Sequence, residues 1–185
     1  MMAAATQTAE QLCSVAGLGD EARLVLREGT GPREFVNLLM ERGHFADAVR
    51  VLAHALPKRE SVWWAWVCAR RAAGPNAAPA VKASLDSAEK WIAQPTEENR
   101  RAAMKAAEAA GFGSAAGCAC LAAFFSGASV APPDAPAVPP GPFDSAKAVA
   151  GAVTLAAVAE AEKAAENFRG FLQQGLEVAA RIKLW

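Results

Sequence analysis

The sequence predicts an all-α protein of seven to nine helices, arranged as antiparallel hairpins in a compact bundle or a short irregular α-solenoid. Apolar residues recur with a helical period in nearly every segment, and no segment alternates as a strand would. Alanine, the strongest helix former, contributes much of the 53% hydrophobic content. Most glycines and prolines stand where the periodic segments end, as expected at helix boundaries. We therefore expect one helical domain, because 185 residues are enough to bury a core.

Charge and composition narrow the class of protein further. The 19 basic and 19 acidic side chains balance, so we expect neither nucleic acid nor a membrane surface as a partner. No basic residue precedes Arg23, and the first residues lack the compact apolar run of a secretory signal. The four cysteines are irregularly spaced, which indicates reduced thiols and a cytoplasmic location.

Residues 1–31 are predicted to form a weakly helical N-terminal segment. One helix is expected from about Thr8 to Ala16 and another from Asp20 to Glu28. The sequence GTG at residues 29–31 then breaks the chain, and Pro32 is suited to the first turn of the next helix. Residue 32 thus begins a predicted core of helical hairpins that extends to residue 131.

The first hairpin of this core joins two amphipathic helices at Gly43, which is a typical helix end. The second of them follows at once, so the two helices are expected to be antiparallel neighbours. Pro57 ends this second helix.

The next helix, from about Arg59 to Ala73, contains three tryptophans in four positions. Apolar residues surround nearly its whole circumference, which is typical of a buried helix rather than of a binding surface. We predict that Trp63, Trp64 and Trp66 are mostly shielded from water. At least one ring should reach the edge of the protein, since each indole N–H needs a hydrogen-bond partner.

Two further helices and an uncharged stretch complete the predicted core. The first carries an inward stripe of Val81, Leu85, Ala88 and Ile92. Thr96 is a predicted N-cap for the second, which should end at Ala110. The uncharged residues 109–133 are long enough to span a bilayer, but four glycines and a single leucine make insertion unfavourable. We expect instead a short central helix, capped by Ser114 and ending at Gly127.

The remaining chain is predicted to contain a connector and a helix pair. Residues 132–143 are rich in proline and should lie extended, as a stiff connector or as a docking ligand for another protein. Residues 144–185 should form the C-terminal helix pair, with Asp144 or Ser145 as N-cap. The last helix has a clear apolar stripe, formed by Phe168, Phe171, Leu172, Leu176, Ala179 and Ile182.

No catalytic, cofactor-binding or metal-ligating set of residues is predicted, so a non-enzymatic protein is expected. His54 lies two turns after Asp47 on one helix, but a solvated polar face explains both residues. The helix dipole should favour protonated His54. Cys118 and Cys120, two positions apart on a helix, point in different directions and do not match a zinc motif. The glycines do not form a phosphate-binding loop, and the Arg100-Arg101 pair is balanced by nearby acids.

Candidate partner-binding residues lie at the C-terminus and at the end of the tryptophan helix. Ile182, Leu184 and Trp185 form an apolar stripe that either packs on the protein's own core or anchors a partner or second copy. Arg70 and Arg71 are the other candidates. In an alternative hypothesis they recognise an anionic small molecule in a pocket beside the tryptophan helix.

Three long segments carry a resemblance to a family. They are AHALPKRESVWWAWVCAR, PTEENRRAAMKAAEAAGFG and LAAFFSGASVAPP, in that order along the chain. The chain resembles, from about Phe35 to Ala180, a family of uncharacterised bacterial proteins whose genes lie among type VI secretion loci. The resemblance implies a cytoplasmic accessory factor, such as an adaptor that helps to load a secretion spike or an effector. It assigns no functional residues.

Overall fold

The computed structural model describes residues 7–185, so the first six residues of the predicted N-terminal segment lie outside it. The described chain is all-α, as predicted, and contains ten α-helices and no strand. The helices are α1 (Ala9–Val15), α2 (Asp20–Arg23), α3 (Pro32–Glu41), α4 (Phe45–Ala55), α5 (Lys58–Ala73), α6 (Pro79–Ala93), α7 (Glu97–Ala110), α8 (Ala115–Phe124), α9 (Asp144–Ala157) and α10 (Ala164–Arg181). A 3₁₀ turn, Ala161–Lys163, precedes α10.

The helices pack as a compact bundle. The late helix α9 contacts α4, α5, α8 and α10, while α8 contacts α5, α6, α7 and α9. In a solenoid each helix pair contacts only its neighbours along the chain. Here a helix from the end of the sequence lies among helices from its first half, so the bundle is the correct choice between the two predicted arrangements.

The central helix α8 is uncharged, and eight of its ten residues are buried. The Ser114 hydroxyl accepts a hydrogen bond from the Gly117 N–H at 3.0 Å, which is the predicted cap. The helix ends at Phe124, three residues before the predicted Gly127, where a 3₁₀-type hydrogen bond from the Ser126 N–H to the Ala123 carbonyl, at 3.2 Å, turns the chain. The Arg100 guanidinium donates to the Phe124 carbonyl, which has no partner within the helix. No helix within residues 7–185 is both long and apolar enough to cross a membrane.

The tryptophan helix α5 is buried as predicted. Trp64 is completely inaccessible and Trp66 is 8% exposed, whereas Trp63 is half-buried at the edge of the bundle. The Trp64 N–H donates to the Phe171 carbonyl at 2.8 Å, and the Trp66 N–H donates to the Leu85 carbonyl at 3.0 Å. Both buried indoles therefore have the partner that their polar N–H requires.

Gly175 lets α10 approach the tryptophan helix closely. A Cβ atom at this position would lie 2.6 Å from Leu52 Cδ2 and 2.8 Å from Trp64 Cε2, both shorter than a van der Waals contact. Any larger residue here would push α10 away from α4 and α5. The glycine is thus required by packing, although it lies inside a regular helix.

The predicted second helix, Asp20 to Glu28, is wrong in length. The helix α2 ends at Arg23, and 3₁₀-type hydrogen bonds from Val25 N to Ala22 O and from Leu26 N to Arg23 O turn the chain, each at 3.2 Å. This turn buries Val25 in the core and leaves Leu24 in solvent. The tertiary contact of Val25 outweighs the local preference for a longer helix.

The inward face of α6 differs from the predicted stripe by about one residue. Leu85 and Ala88 are buried as expected, but Val81 and Ile92 are only half-buried, and Trp91 is buried in their place. The larger indole removes more apolar area from water than isoleucine, so the helix rotates to bury it.

The helix α9 begins at Asp144, but neither predicted residue caps it. The Asp144 carboxylate accepts from the Gly141 N–H at 2.7 Å, and the buried Ser145 hydroxyl donates to the Ala122 carbonyl at 2.9 Å. The N-cap position is Phe143, without a side-chain hydrogen bond. Both polar side chains instead fix the end of the proline-rich connector and the α8–α9 contact, and the connector itself has no regular helix or strand.

Candidate partner-binding groove

A shallow groove opens where the start of α5 meets the C-terminal ends of α6 and α10. Its volume is about 250 Å³, and it is lined by Arg59, Glu60, Trp63, Ile92, Val178, Arg181 and Ile182. Four of these side chains are apolar and form its floor. We call this surface the α5–α10 groove.

The amphipathic character of the three helices creates the groove. Trp63 precedes the buried Trp64 and is turned by about 100° from it, to the boundary of the buried face. Val178 and Ile182 are four residues apart and therefore share one face of α10. Ile92 lies in the last turn of α6, displaced to the edge by the burial of Trp91.

The rim of the groove is more basic than acidic. Arg59 donates to the carbonyls of Ile92 at 2.7 Å and Ala93 at 3.4 Å, which caps the C-terminus of α6. Arg181 is exposed in the last turn of α10. Neither arginine forms an ion pair with a carboxylate in the described part of the chain, and Glu60 is the one acidic lining residue.

The predicted C-terminal residues divide between the core and the groove. Leu184 and Trp185 are half-buried and pack against the core, which is one of the two predicted alternatives. Ile182 remains 37% exposed and lines the groove.

A Schellman motif ends α10. It turns the chain after Ile182, so that Ile182 stays in the groove while Leu184 and Trp185 reach the core. The Leu184 N–H donates to the Ala179 carbonyl at 2.9 Å and the Lys183 N–H donates to the Ala180 carbonyl at 3.1 Å. Lys183 occupies the left-handed region, with φ 53°. Glycine is the usual residue there because side chains disfavour this backbone conformation.

We expect Lys183→Gly to raise the free energy of unfolding by about 0.5–1 kcal/mol, since it removes the left-handed strain. Urea unfolding measures the change. Lys183→Val is the matched opposite, and its branched side chain should lower stability by at least as much. A stability loss in the glycine variant would contradict this account of the helix end.

The predicted arginines Arg70 and Arg71 do not lie in the groove. They stand at the opposite end of α5, eleven or more residues from Arg59, which is about 16 Å along the helix axis. The Arg70 guanidinium lies 5.1 Å from the Trp66 ring centroid, and that of Arg71 lies 5.6 Å from the Phe171 ring centroid. The two predicted groups of partner-binding residues therefore belong to separate surfaces.

His54 is less solvated than predicted. Its Nδ1 atom lies 2.7 Å from the Arg50 carbonyl, and its Nε2 atom is buried without a hydrogen-bond partner in the described chain. Burial lowers the pKa of His54, with the nearby Lys147 as a further cause. The predicted stabilisation of the protonated form by the helix dipole is wrong, because desolvation of the charged ring outweighs it.

This lowered pKa makes stability depend on pH in a definite direction. Between the folded pKa and the unfolded value near 6.5, the unfolded chain binds more protons, so acidification favours unfolding. We expect the contribution of neutral His54 to be complete above about pH 7 and to decline as the pH falls through 6.5. His54→Gln should flatten the curve of unfolding free energy between about pH 7.5 and pH 5. Identical slopes in both proteins would contradict the assignment.

The cysteines and acidic side chains that the structure describes are not grouped as metal ligands. No group of three or more His, Cys, Asp or Glu side chains is placed to hold an ion within residues 7–185. Burial raises the pKa of Cys68 and raises that of Cys120 to about 12, so both remain protonated thiols. They behave as small apolar residues of the core.

Sequence patterns did not reveal the groove as a unit. Its lining comes from three helices, near residues 60, 92 and 180, which only the packing of α5, α6 and α10 brings together. Two of its residues have a signal in the sequence: Ile182 is an apolar residue at the end of the last helix, and one tryptophan of α5 is expected at the edge of the protein, where Trp63 lies.

Comparison with known proteins places the chain in a family. No curated protein and no solved structure matches it. One family model, described as "Family of unknown function (DUF6931)", matches residues 35–179, from the start of the core to the last turns of α10. The chain therefore belongs to DUF6931, a family of unknown function.

Proposed function

We propose that this chain is a non-enzymatic interaction protein, or adaptor, that holds another protein in the α5–α10 groove. One observation carries the proposal: two apolar side chains, Trp63 and Ile182, line an open groove whose rim carries Arg59 and Arg181. Tryptophan and arginine are enriched among the residues that dominate protein–protein binding energy. An apolar floor with a charged rim matches the anatomy of such interfaces.

The size of the groove favours a protein partner over a metabolite. Pockets for small molecules typically enclose about 300–1,000 Å³ and bury most of the ligand. The volume here is about 250 Å³ and the groove is open to solvent. It is suited to one large apolar side chain presented by another surface.

In its specific form, the proposal is that the protein is a cytoplasmic accessory factor of a type VI secretion system. It would bind a secretion spike or an effector during loading. Support for this form comes from the resemblance of the segments around residues 53–70, 95–113 and 121–133 to proteins of such loci.

Co-purification from the native host tests the proposal with two matched variants. Ile182 and Val158 are both C-cap residues of helices and are 37% and 44% exposed. We expect Ile182→Arg to lose the captured partner at least tenfold, because it places a charge in the groove. Val158→Arg makes the same change outside the groove and should retain the partner. Binding must be reproduced with both proteins purified.

Equal capture by the wild type and Ile182→Arg would contradict the groove as the binding site. Identification of the captured protein by mass spectrometry tests the secretion form separately. A reproducible partner that is neither a spike component nor an effector would overturn that form and leave the adaptor proposal in place.

A second candidate function is the binding of a small anionic molecule beside Trp63. The observation that favours it is the rim itself, where Arg181 and the α6-capping Arg59 form no ion pair with a carboxylate in the described part of the chain. A bound ligand raises the melting temperature by mass action. A thermal-shift screen of anionic metabolites should then yield a hit that is lost in Arg181→Glu, and a screen without such a hit would contradict this candidate.

A further inference from the structure

Leu24 is the most exposed of the large apolar residues in the described chain, at 83%. It is the C-cap residue of α2 and keeps helical backbone angles, with φ −69° and ψ −12°. Its side chain is therefore held on a hydrogen-bonded turn and projects into solvent. A single exposed leucine is common on protein surfaces, so Leu24 is informative only together with the charged residues beside it.

Two carboxylates accompany Leu24 on the same side of α2. Asp20 and Glu21 precede it by four and three residues, the spacings that place side chains next to each other on a helix. Neither carboxylate forms an ion pair in the described part of the chain. The cation of the same helix, Arg23, is held by its Nε donating to the Leu18 carbonyl at 3.0 Å. We call Asp20, Glu21 and Leu24 the acidic knob.

We propose that the α5–α10 groove of one copy receives the acidic knob of a second copy of this chain. Leu24 would fill the apolar floor beside Trp63, and the two carboxylates would face the rim arginines. The inference rests on the proposed function of the groove and names its occupant. It is carried by complementarity between the two surfaces. The knob has an exposed apolar side chain and two carboxylates without ion pairs in the described chain. The groove has an apolar floor, and its rim carries Arg181, which has no ion pair there, and Arg59, which caps α6 but contacts no carboxylate.

The knob and the groove are separate surfaces of one molecule. No residue of α1, α2, α3 or α4 lines the groove, and Leu24 does not occupy the groove of its own chain. A contact between them is therefore head-to-tail: in a pair, the copy that inserts its knob keeps a free groove, and the copy that receives it keeps a free knob. Such an interface continues from copy to copy until it closes into a ring.

The association should be weak and sensitive to salt. One side chain and a few charges form a contact far smaller than a standard interface of about 1,600 Å². We expect a dissociation constant between about 1 µM and about 1 mM. Because exposed charges contribute, raising the ionic strength from about 0.1 M to about 1 M should weaken the association.

Sedimentation equilibrium with two single variants tests the proposal. Leu24→Asp removes the knob, and Ile182→Arg blocks the groove; both positions are exposed, so the fold should persist, as circular dichroism verifies. We expect the wild type and the control Val158→Arg to gain mass with concentration, and each of the other variants alone to stay monomeric. An equimolar mixture of the two monomeric variants should form a dimer and nothing larger, since one intact knob and one intact groove remain.

Three results would overturn the inference: a wild type that stays monomeric up to about 1 mM, single variants that still associate, or a mixture without dimer. Failure here is distinct from failure of the proposed function. If the wild type is monomeric while Ile182→Arg loses a captured protein, the groove binds a partner other than a second copy. If Ile182→Arg changes neither measurement, the groove itself is not a binding site.

Discussion

Trp64→Ala lowers the free energy of unfolding by about 3–5 kcal/mol, which is the largest effect that we expect from any single substitution. Trp64 is the largest of the fully buried side chains and is completely inaccessible to solvent. Its removal leaves a cavity between α4, α5 and α10 and deprives the Phe171 carbonyl of a hydrogen-bond donor at 2.8 Å. For a chain of this length, the melting temperature should fall by roughly 6–20 °C.

The neighbouring indole provides the matched control for this prediction. Trp63 has the same chemistry but is half-buried, so Trp63→Ala should lower stability by only about 1–2 kcal/mol. Urea unfolding monitored by circular dichroism measures the stability loss of both variants without relying on tryptophan fluorescence. Equal losses would show that Trp64 does not lie at the centre of the core.

Gly175 and Trp64 are in contact, so substitutions at these two positions should affect stability in a coupled way. Gly175→Ala should destabilise the wild type, because the added methyl group overlaps Leu52 and Trp64. In the Trp64→Ala background the same change should be less harmful, since the new cavity accepts the methyl group. A double-mutant cycle should therefore give a coupling free energy of about 1 kcal/mol or more, and additive losses would contradict the close approach.

The parts of this fold that could be predicted are those set by local chemistry. Thr96 accepts from the Asn99 N–H at 3.2 Å, and Gly111 ends the same helix with φ 81°. Both signals are visible in the sequence, and they predicted a helix that ends where α7 ends, at Ala110. The same holds for Ser114 at the start of α8, where a side chain and its target N–H are only three residues apart.

The parts that could not be predicted depend on contacts between distant segments. The length of α2 is decided by the burial of Val25, and the rotation of α6 by the burial of Trp91. The pKa of His54 also depends on a distant segment. Its position in the last turn of α4 predicted that the helix dipole favours the protonated ring, whereas neighbouring residues of α9 keep the ring desolvated. Sequence periodicity gives the face of a helix but not the partner that covers it.

Arg100 is the clearest case of a residue whose role the sequence conceals. In the sequence it is half of a basic pair near two glutamates, as on a solvated helix face. In the structure it is 3% exposed, and its guanidinium donates to the carbonyls of Phe124 and Ser129 and to the Glu97 carboxylate. The side chain thereby holds the start of α7 against the end of α8 and the loop that leads to the proline-rich connector.

Arg100→Met should lower the free energy of unfolding by about 2–4 kcal/mol. Methionine keeps much of the apolar volume, but two carbonyls lose a charged donor, and an unsatisfied buried group costs about 1–3 kcal/mol. Glu97 adds little to this sum, because its side chain is 58% exposed and can be hydrated after the change. Thermal and urea unfolding measure the loss.

Arg101→Met is the matched control, and the titration of Glu97 is the independent measurement. Arg101 also contacts Glu97, at 2.6 Å, and donates to one carbonyl, that of Ala131, at 2.9 Å. Its side chain is 25% exposed, so water can replace these contacts in part, and its loss should lower stability by only about 1 kcal/mol. The Arg100 guanidinium is the main cause that lowers the pKa of Glu97 to about 2. Its removal should raise that pKa toward 4.5, as NMR titration can follow, whereas the Arg101 variant should shift it less. An Arg100→Met variant with unchanged stability and an unchanged Glu97 pKa would show that the guanidinium does not link α7 to α8. Loss of a buried charge that donates to three acceptors should change at least one of these two quantities.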